Sequence, residues 1–151
     1  MVEILSWDEV SEAECDEMWS FVQTKKNQRW LWYAIDHNTR AILAFVFEKR
    51  KDSAFKKLKK FLKPFGIITY YTDNWSSYSK NISPENHIIG KENTQRIERK
   101  NLTLRTRIKR LHRKTICYSK SQIMHDLVIG LVINILEFKL DVKRLFRCFR
   151  T

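Results

Sequence analysis

Three apolar runs separated by short polar links constrain the fold of this chain more than any other feature. They cover residues 16–23, 29–36 and 40–48. The first run is apolar on both of its alternating faces, as in a strand at the centre of a sheet, and the other two are rich in aromatic or apolar residues typical of strands. Because links this short join neighbouring antiparallel strands, the sequence predicts a three-stranded antiparallel meander.

The spacing of apolar residues changes after the meander from a period of two to the helical period of 3.6. The remaining predicted elements are a helix at 52–62, a buried strand at 67–71, a short helix or turn at 74–79, a short strand at 87–89, and helices at 94–111 and 120–138. On the last helix we expect one apolar face to be turned inward, namely Ile123, Leu127, Leu131, Ile135 and Phe138. This order predicts an α/β fold, in which helices flank a mixed sheet made of the meander and shorter parallel strands.

A helix that follows an antiparallel meander can return the chain so that the fourth strand lies parallel to the first and beside it, with a right-handed crossover. In the predicted order, Asp16 begins the first strand and Asp73 ends the fourth. Whether the two carboxylates approach each other depends on the register of these strands, which the sequence leaves open.

The formal charge of the chain is +12, and it is unevenly distributed. Residues 1–24 contain seven acids and no Lys or Arg, whereas residues 91–114 contain ten Lys and Arg and two acids. A large positive surplus on a compact domain favours a polyanionic partner, most often nucleic acid. The alternative is a solvated basic surface that only aids solubility.

The helix predicted at 94–111 carries this basic stretch. Its apolar residues recur on one face at Ile97, Leu104, Ile108 and Leu111. Beside that face lie Glu98, Asn101 and Arg105. A carboxylate in so positive a setting is either an ion-pair partner or a ligand of a cation that also touches a polyanion.

Asp16, Asp73 and Glu98 are the acids whose placement on these elements indicates catalysis. Carboxylates held close together repel each other unless a cation neutralises them, and Mg²⁺ prefers such hard oxygen ligands. Two such ions can support in-line attack at a phosphodiester. In the structural alternative, Asp16 is one more acid of an acidic segment, Asp73 caps a turn, and Glu98 pairs with Arg105 or Lys91.

Several function classes find no support in the sequence. Its three cysteines, Cys15, Cys117 and Cys148, form no CxxC pair and have no zinc-site spacing, so we predict neither a disulfide framework nor a zinc site. The longest apolar run, residues 127–136, is too short to span a bilayer, and the acidic start is unlike a signal peptide. We therefore expect no membrane association and a cytoplasmic, nucleoid-associated protein.

The motifs DEMWSFVQ, RWLWYAID, YYTDNWSSY, HIIGKENTQRIERKNLTLRTRIKRLHRKTICYSKS and MHD occur in this order across residues 14–130. In these motifs the chain resembles the catalytic reading frame of transposases of the insertion sequence one family, which is similar to the ribonuclease-H-like DDE recombinases. The resemblance implies a ribonuclease-H-like fold and an Asp16, Asp73 and Glu98 triad that binds Mg²⁺ or Mn²⁺. Twenty-four residues separate Asp73 from Glu98. Glu17 is the alternative first ligand, but in a strand it points away from the face that Asp16 occupies.

The resemblance further implies DNA strand cleavage and transfer during transposition, with the element ends and the target as double-stranded DNA partners. Arg105, seven residues after Glu98, matches a basic position that such enzymes keep. The predicted DNA contacts are Arg96, Arg99, Lys100, Asn101, Arg105, Arg113, Lys114 and Trp75. In that family, an upstream zinc-ribbon and helix-turn-helix segment reads the terminal repeats, and we expect a homo-oligomer on DNA.

On this basis, residues 1–13 are predicted to be an acidic extension, 14–140 the catalytic domain and 141–151 a basic tail unlike the family's usual ending. Two other functions stay open: a DNA-binding regulator or remnant without catalysis, and a ribonuclease-H-like nuclease that cuts without joining.

Overall fold

The structure is a computed structural model that describes residues 10–114 and 118–139. Its strands are β1 (Glu12–Val22), β2 (Thr24–Asp36), β3 (Ile42–Glu48), β4 (Thr69–Thr72) and β5 (His87–Ile89). Its α-helices are α1 (Asp52–Leu62), α2 (Ser76–Asn81), α3 (Gln95–Arg107) and α4 (Gln122–Glu137). Of the predicted terminal segments, residues 1–9 and all of 141–151 lie outside the described residues.

The five strands form one mixed sheet in the order β3-β2-β1-β4-β5. β1 pairs antiparallel with β2, and β2 with β3, so the predicted meander is confirmed. β4 pairs parallel with β1, and β5 parallel with β4. The helix crossover therefore places the fourth strand beside the first, as predicted. β1 is the central strand, but it begins at Glu12, four residues before the predicted start.

Each face of the sheet is covered by its own apolar layer, because successive side chains of a strand point to opposite faces. On one face, α1 and α2 cover a cluster that includes Ala13, Cys15, Trp32, Phe55, Leu58 and Tyr78. On the other face, α3 and α4 cover a cluster that includes Met18, Leu31, Tyr33, Ile97, Leu104 and Ile129. The side chains of Trp32 and Tyr33, neighbours in β2, thus belong to different layers. The even-numbered residues of β1 face the layer of α3 and α4, with Asp16 toward α3 and Ser20 toward α4.

α3 is shorter than predicted. It ends at Arg107, where Ile108 takes an extended conformation (φ −111°, ψ 98°), and a 3₁₀ turn covers Lys109–Leu111. Ile108 and Leu111 are nevertheless buried in the same core as the apolar face of α3. The predicted apolar face is therefore correct, while the chain changes direction to keep its last two members inside.

The predicted inward face of α4 is wrong. Ile123, Leu127, Leu131, Ile135 and Phe138 are exposed, and the residues that α4 buries are His125, Ile129 and Ile133. α4 is apolar almost all round, so periodicity identifies residues that share a face but not the face that the sheet covers. In the part of the chain that the structure describes, no helix is long and apolar enough to cross a membrane.

A buried histidine ties α4 to β1. Nε2 of His125 lies 2.8 Å from Oγ of Ser20, and Nδ1 lies 2.6 Å from Oγ of Ser119. Arg110 donates to the Ser119 hydroxyl at 2.9 Å, and the Ser20 hydroxyl donates to the carbonyl of Arg29 at 3.3 Å. A neutral imidazole that carries its proton on Nε2 satisfies every member of this chain. Burial lowers the pKa of His125 to about 4, which agrees with a neutral imidazole.

Candidate active site

The parallel pairing of β1 with β4 brings two of the predicted acids to the same edge. Glu14 is paired with Tyr71, the last described pair of that ladder. Continuing the register by two residues sets Asp16 opposite Asp73, which directly follows β4. The ladder itself stops at Glu14 and Tyr71, so both acids lie just beyond the paired residues, near the point where β4 ends beside β1. The negative charge of Asp73 raises the pKa of Asp16, which agrees with this placement.

Asp16 sits where ionisation is unfavourable. Burial, and after it the negative charges of Glu17 and Asp73, raises the pKa of its carboxyl to about 7. Two donors oppose this effect: Nδ2 of Asn101 donates to Oδ2 at 2.6 Å, and the amide of Glu17 donates to Oδ1 at 2.8 Å. Within the described residues, no Lys or Arg forms an ion pair with Asp16. A half-buried acid among acids without a cationic partner is a favourable place for a metal cation.

A chain of hydrogen bonds fastens α3 to this acid. The hydroxyl of buried Tyr33 in β2 donates to Oδ1 of Asn101 at 2.6 Å, and it also lies 3.2 Å from the carbonyl of Ile97. Asn101 in turn donates to Asp16. Since both ends of its amide are engaged within the protein, Asn101 is held as a positioning residue between β1, β2 and α3.

Glu98 lies in the first turn of α3, three residues before Asn101, and its side chain is exposed. Residues three apart on a helix are surface neighbours, so Glu98 and Asn101 share a side of α3. Among the described residues, the Glu98 carboxylate makes no hydrogen bond or ion pair, so the alternative pairing with Arg105 or Lys91 is not formed.

The N-terminus of α3 is capped from β1 by Glu14, a residue that the sequence reasoning missed. Its buried carboxylate accepts the amide of Ile97 at 2.9 Å through Oε2, and Oε1 lies 2.8 Å from Nδ1 of His37. The ring of His37 stacks on Tyr71 with centroids 4.4 Å apart. A carboxylate at a helix N-terminus satisfies an otherwise unpaired amide and complements the helix dipole. An acid inside an alternating apolar strand would have been the sequence feature that identified it.

Glu17, the alternative first ligand, belongs to the opposite face of the sheet. Its carboxylate accepts the hydroxyl of Tyr78 at 2.6 Å and the guanidinium of Arg50 at 2.8 Å. Burial, and to a smaller extent the negative charge of Asp73, raises the pKa of Glu17, and Tyr78 and Arg50 lower it. Because its oxygens are occupied beneath α1 and α2, Glu17 is directed away from the edge where Asp16 faces α3.

The three predicted ligands do not form a closed cluster. Within residues 10–114 and 118–139, no three His, Cys, Asp or Glu side chains are arranged so that they could hold a metal ion. Asp16 and Asp73 lie near the point where β4 ends beside β1. One oxygen of Asp73 accepts the amide of Trp75 at 3.0 Å, and the side chain of Glu98 is exposed. The donor chemistry, three carboxylates with unneutralised charge, nevertheless suits a hard divalent cation such as Mg²⁺.

Two of the predicted DNA-contacting arginines have partly buried guanidinium groups. Among the described residues, Nη1 of Arg96 and Nε of Arg105 have no hydrogen-bond partner. Burial lowers the pKa of Arg105, the charge of Arg113 lowers it further, and Asp16 and Tyr33 raise it. Arg105 is therefore close to Asp16 without being bonded to it.

The other predicted contacts differ in how free they are. Arg99 and Lys114 are exposed, and the guanidinium of Arg113 lies over the ring of Trp19 at 4.9 Å. Lys100 is held by both carboxylate oxygens of Glu137 at 2.9 and 3.0 Å.

Trp75 is only partly exposed. Its ring packs against the ring of Trp32, with the two centroids 5.1 Å apart. The guanidinium of Arg50 lies over the Trp75 ring, 4.7 Å from its centroid. Its indole therefore contributes mainly to the edge of the α1 and α2 layer.

Comparison with solved structures identifies the fold. The chain is similar to a chain of the simian T-cell lymphotropic virus intasome in complex with PP2A regulatory subunit B56 gamma, with a TM-score of 0.57 and 14% identity over 86% of this chain and 49% of that one. It is also similar to the HTLV-2 integrase catalytic core domain in complex with magnesium, in a trimeric form, with a TM-score of 0.53 and 14% identity over 84% of each chain. These integrase cores have a ribonuclease-H-like fold, and the predicted fold class is confirmed.

Comparison of sequences identifies the family. Residues 10–139 match the family described as IS1 transposase. The chain is 51% identical over 122 residues to the insertion element iso-IS1n protein InsB of Shigella dysenteriae, covering 81% of this chain and 93% of that protein. It is 42% identical over 127 residues to the insertion element IS1 protein InsB of Shigella sonnei, covering 84% and 97%. This chain, which has a ribonuclease-H-like sheet and matches the family over residues 10–139, therefore belongs to the IS1 transposase family.

Proposed function

We propose that the chain catalyses metal-dependent cleavage of DNA strands and their transfer to target DNA. The observation that supports this proposal is the hydrogen bond from Asn101 to Asp16, which docks the helix that bears Glu98 on β1 near the point where its parallel neighbour β4 ends before Asp73. In this proposal Asp16 and Asp73 hold a divalent cation, Mg²⁺ or Mn²⁺, and Glu98 completes the ligand set when cation and DNA are bound.

When bound, such cations would activate the attacking hydroxyl or water and stabilise the leaving oxygen at a phosphodiester. The protein's own residues would position these ligands and the DNA. Tyr33 and Asn101 fix the orientation of the Asp16 carboxylate, and Glu14 anchors the start of α3. Arg105, near Asp16 with an unpaired Nε, would take a phosphate oxygen.

The basic surface around α3 would position the duplex. Arg99 and Lys114 are free to approach phosphates, and each such contact strengthens binding in a salt-dependent way without reading sequence. We propose that recognition of the element ends comes from an upstream zinc-ribbon and helix-turn-helix segment joined to this domain, and that several copies assemble on DNA. The magnesium and the trimeric form named for the HTLV-2 integrase core agree with these proposals.

The test is Glu98→Gln in the full chain, assayed for cleavage of a labelled duplex and for joining of its 3′ end to a second duplex in Mn²⁺ or Mg²⁺. We expect both activities to fall by roughly a hundredfold or more, because a cation that loses one ligand is incompletely held. The matched control is Glu85→Gln, an exposed acid of the 3₁₀ turn before β5, which should retain activity. Wild-type activity in Glu98→Gln would exclude Glu98 as a ligand.

One observation favours a second candidate, a DNA-binding protein without catalysis: no three acids converge among the described residues, while the chain carries a charge of +12. Binding that persists when Asp16, Asp73 and Glu98 are all changed to Ala, without metal-dependent cleavage by the wild type, would establish that function. Cleavage without joining would instead identify a nuclease.

A further inference from the structure

α4 exposes a row of large apolar side chains, which we call the α4 stripe. Its members are Ile123, Met124, Leu127, Leu131, Ile135 and, just after the helix, Phe138, with exposed fractions between 38% and 72%. At 100° per residue they fall within a sector of about 120°. An exposed apolar row of this kind is far larger than the scattered single residues of an ordinary surface, and it marks an interaction site.

The chemistry of the stripe separates it from the basic surface that would bind DNA. α4 contains no Lys or Arg, and its two acids are engaged at the flanks, Asp126 with Arg29 and Glu137 with Lys100. The polar residue within the sector is Asn134, whose amide donates to the carbonyl of Gly130 on the same helix at 2.7 Å. A stripe without charge suits a partner that is equally apolar.

The stripe continues into an apolar groove at its C-terminal end. The groove has a volume of about 440 Å³, and its apolar lining includes Leu43, Phe45, Phe61, Phe65 and Phe138. Phe61 itself is 60% exposed. Phe138 belongs to both, so the stripe and the groove meet just after α4, and the groove reaches α1 at Phe61 and Lys60.

We propose that the α4 stripe is the surface through which two copies of this chain associate about a two-fold axis. An uncharged helix face is self-complementary, as a two-fold interface requires, and two such helices can pack with their side chains interdigitated. In an antiparallel pair, Leu131 lies nearest the axis and Phe138 reaches toward the first turn of the partner helix. This inference deepens the assembly proposed above, on which it rests.

The amount of surface is sufficient for a dimer. Side chains of this size and exposure each present on the order of 100 Å² of apolar surface, so pairing two stripes buries on the order of 1,000 Å² in total, which is where stable interfaces begin. Residues 140–151 of the chain itself are the competing occupant, and the stability of a monomeric Leu127→Glu variant distinguishes them from a second copy.

The test is sedimentation equilibrium of the full chain without DNA or metal, so that its outcome is independent of cleavage. We expect a species of twice the 18.3 kDa monomer mass at micromolar concentration. Leu127→Glu should raise the dissociation constant by roughly a hundredfold or more, because a charge would be buried in each half of the interface. Leu102→Glu, on α3 and exposed to 68% against 60% for Leu127, is the matched control and should leave the dimer unchanged.

A second measurement covers the case in which Leu127→Glu fails to fold, as judged by circular dichroism. Under mild oxidation, Leu131→Cys should form a disulfide-linked dimer above the wild-type background, and Leu102→Cys should not. A wild type that stays monomeric at 100 µM overturns the proposal. If such a monomer loses stability on Leu127→Glu, the chain covers its own stripe. A dimer that is insensitive to Leu127→Glu also overturns the proposal, because another surface then holds it.

Discussion

Asp16 is an acid that the fold holds where its charge is costly. Its pKa is raised to about 7 first by burial and then by Glu17 and Asp73. A carboxyl whose pKa is higher in the folded than in the unfolded chain stabilises the fold at low pH, and that contribution is lost as pH rises through the folded value. In the metal-free protein, the contribution of Asp16 to the free energy of unfolding should therefore decrease as pH rises from about 4 to about 7.

Asp16→Asn removes the ionisation penalty while keeping the size of the side chain. In EDTA at pH 8, we expect its Tm to exceed that of the wild type by a few degrees, with a smaller difference at pH 5. The increase in Tm that Mn²⁺ gives the wild type should be absent. Thermal unfolding by circular dichroism at both pH values measures this, with Glu85→Gln as the control. An Asp16→Asn variant that is less stable than wild type at pH 8 would contradict it.

At the scale of single residues, the sequence suggested candidate acids but not the contacts that hold them. Asp16 and Asp73 could be selected because an element order with a parallel fourth strand brings their positions to one edge. The pairing of Lys100 with Glu137 could not, since it joins residues 37 positions apart on two separate helices. Tyr33 was one aromatic residue among many, and its bond to Asn101 depends on how α3 crosses β2.

At the scale of elements, α3 is held by side chains of the strands beneath it. Glu14 caps its first turn and Asn101 anchors its middle. Two anchors on β1, at Glu14 and Asp16, thus determine where the first turn of α3 and its Glu98 stand relative to the sheet edge.

Glu14→Ala should loosen that connection. It leaves the amide of Ile97 and the ring of His37 without their partner, so we expect a loss of about 1–3 kcal/mol in the free energy of unfolding. Glu14→Gln keeps an acceptor oxygen and should lose less. Urea denaturation measures stability, and Mn²⁺ affinity of the folded variants reports the placement of Glu98. Equal stability of Glu14→Ala and wild type would show that the cap is unimportant.

Element order, strand pairing and the bounds of α1 and β5 followed from periodicity, because each depends on local spacing and short connections. The face of α4 did not. A helix that is apolar on all sides shows the same periodicity whichever side packs on the sheet. Here Ile129 and Ile133 are buried, whereas Leu127 and Leu131 are exposed. The first residues of β1 were not predictable from periodicity, because Glu12 and Glu14 are acids in an acidic stretch. Their places in the strand depend on partners far along the chain, Tyr71 for Glu12 and Ile97 for Glu14.

At the scale of the whole molecule, the network around His125 joins the central strand to the last helix. The pKa of this histidine is lowered to about 4, chiefly by burial. A histidine whose folded pKa is depressed stabilises the fold above its ordinary value of 6.5, and that contribution is lost as pH falls toward about 4.

The contribution of His125 to the free energy of unfolding therefore decreases between pH 6.5 and pH 4, opposite in sign to that of Asp16. We expect His125→Gln to be less stable than the wild type at pH 7, and this difference to shrink as pH falls from 6.5 to 4, so the two proteins differ in slope. His112→Gln alters an exposed histidine and should keep the wild-type slope. Chemical denaturation at half-unit pH intervals measures both. A slope unchanged in His125→Gln would mean that other groups carry the pH dependence.

Dimer formation through the α4 stripe would fix the distance between two candidate active sites. In a dimer formed through α4, the candidate sites of the two copies would be held at a fixed distance from each other, because the sheet and α4 share a single core. The distance between the cuts on the two DNA strands would then be set by the protein dimer rather than by the DNA sequence that is cut.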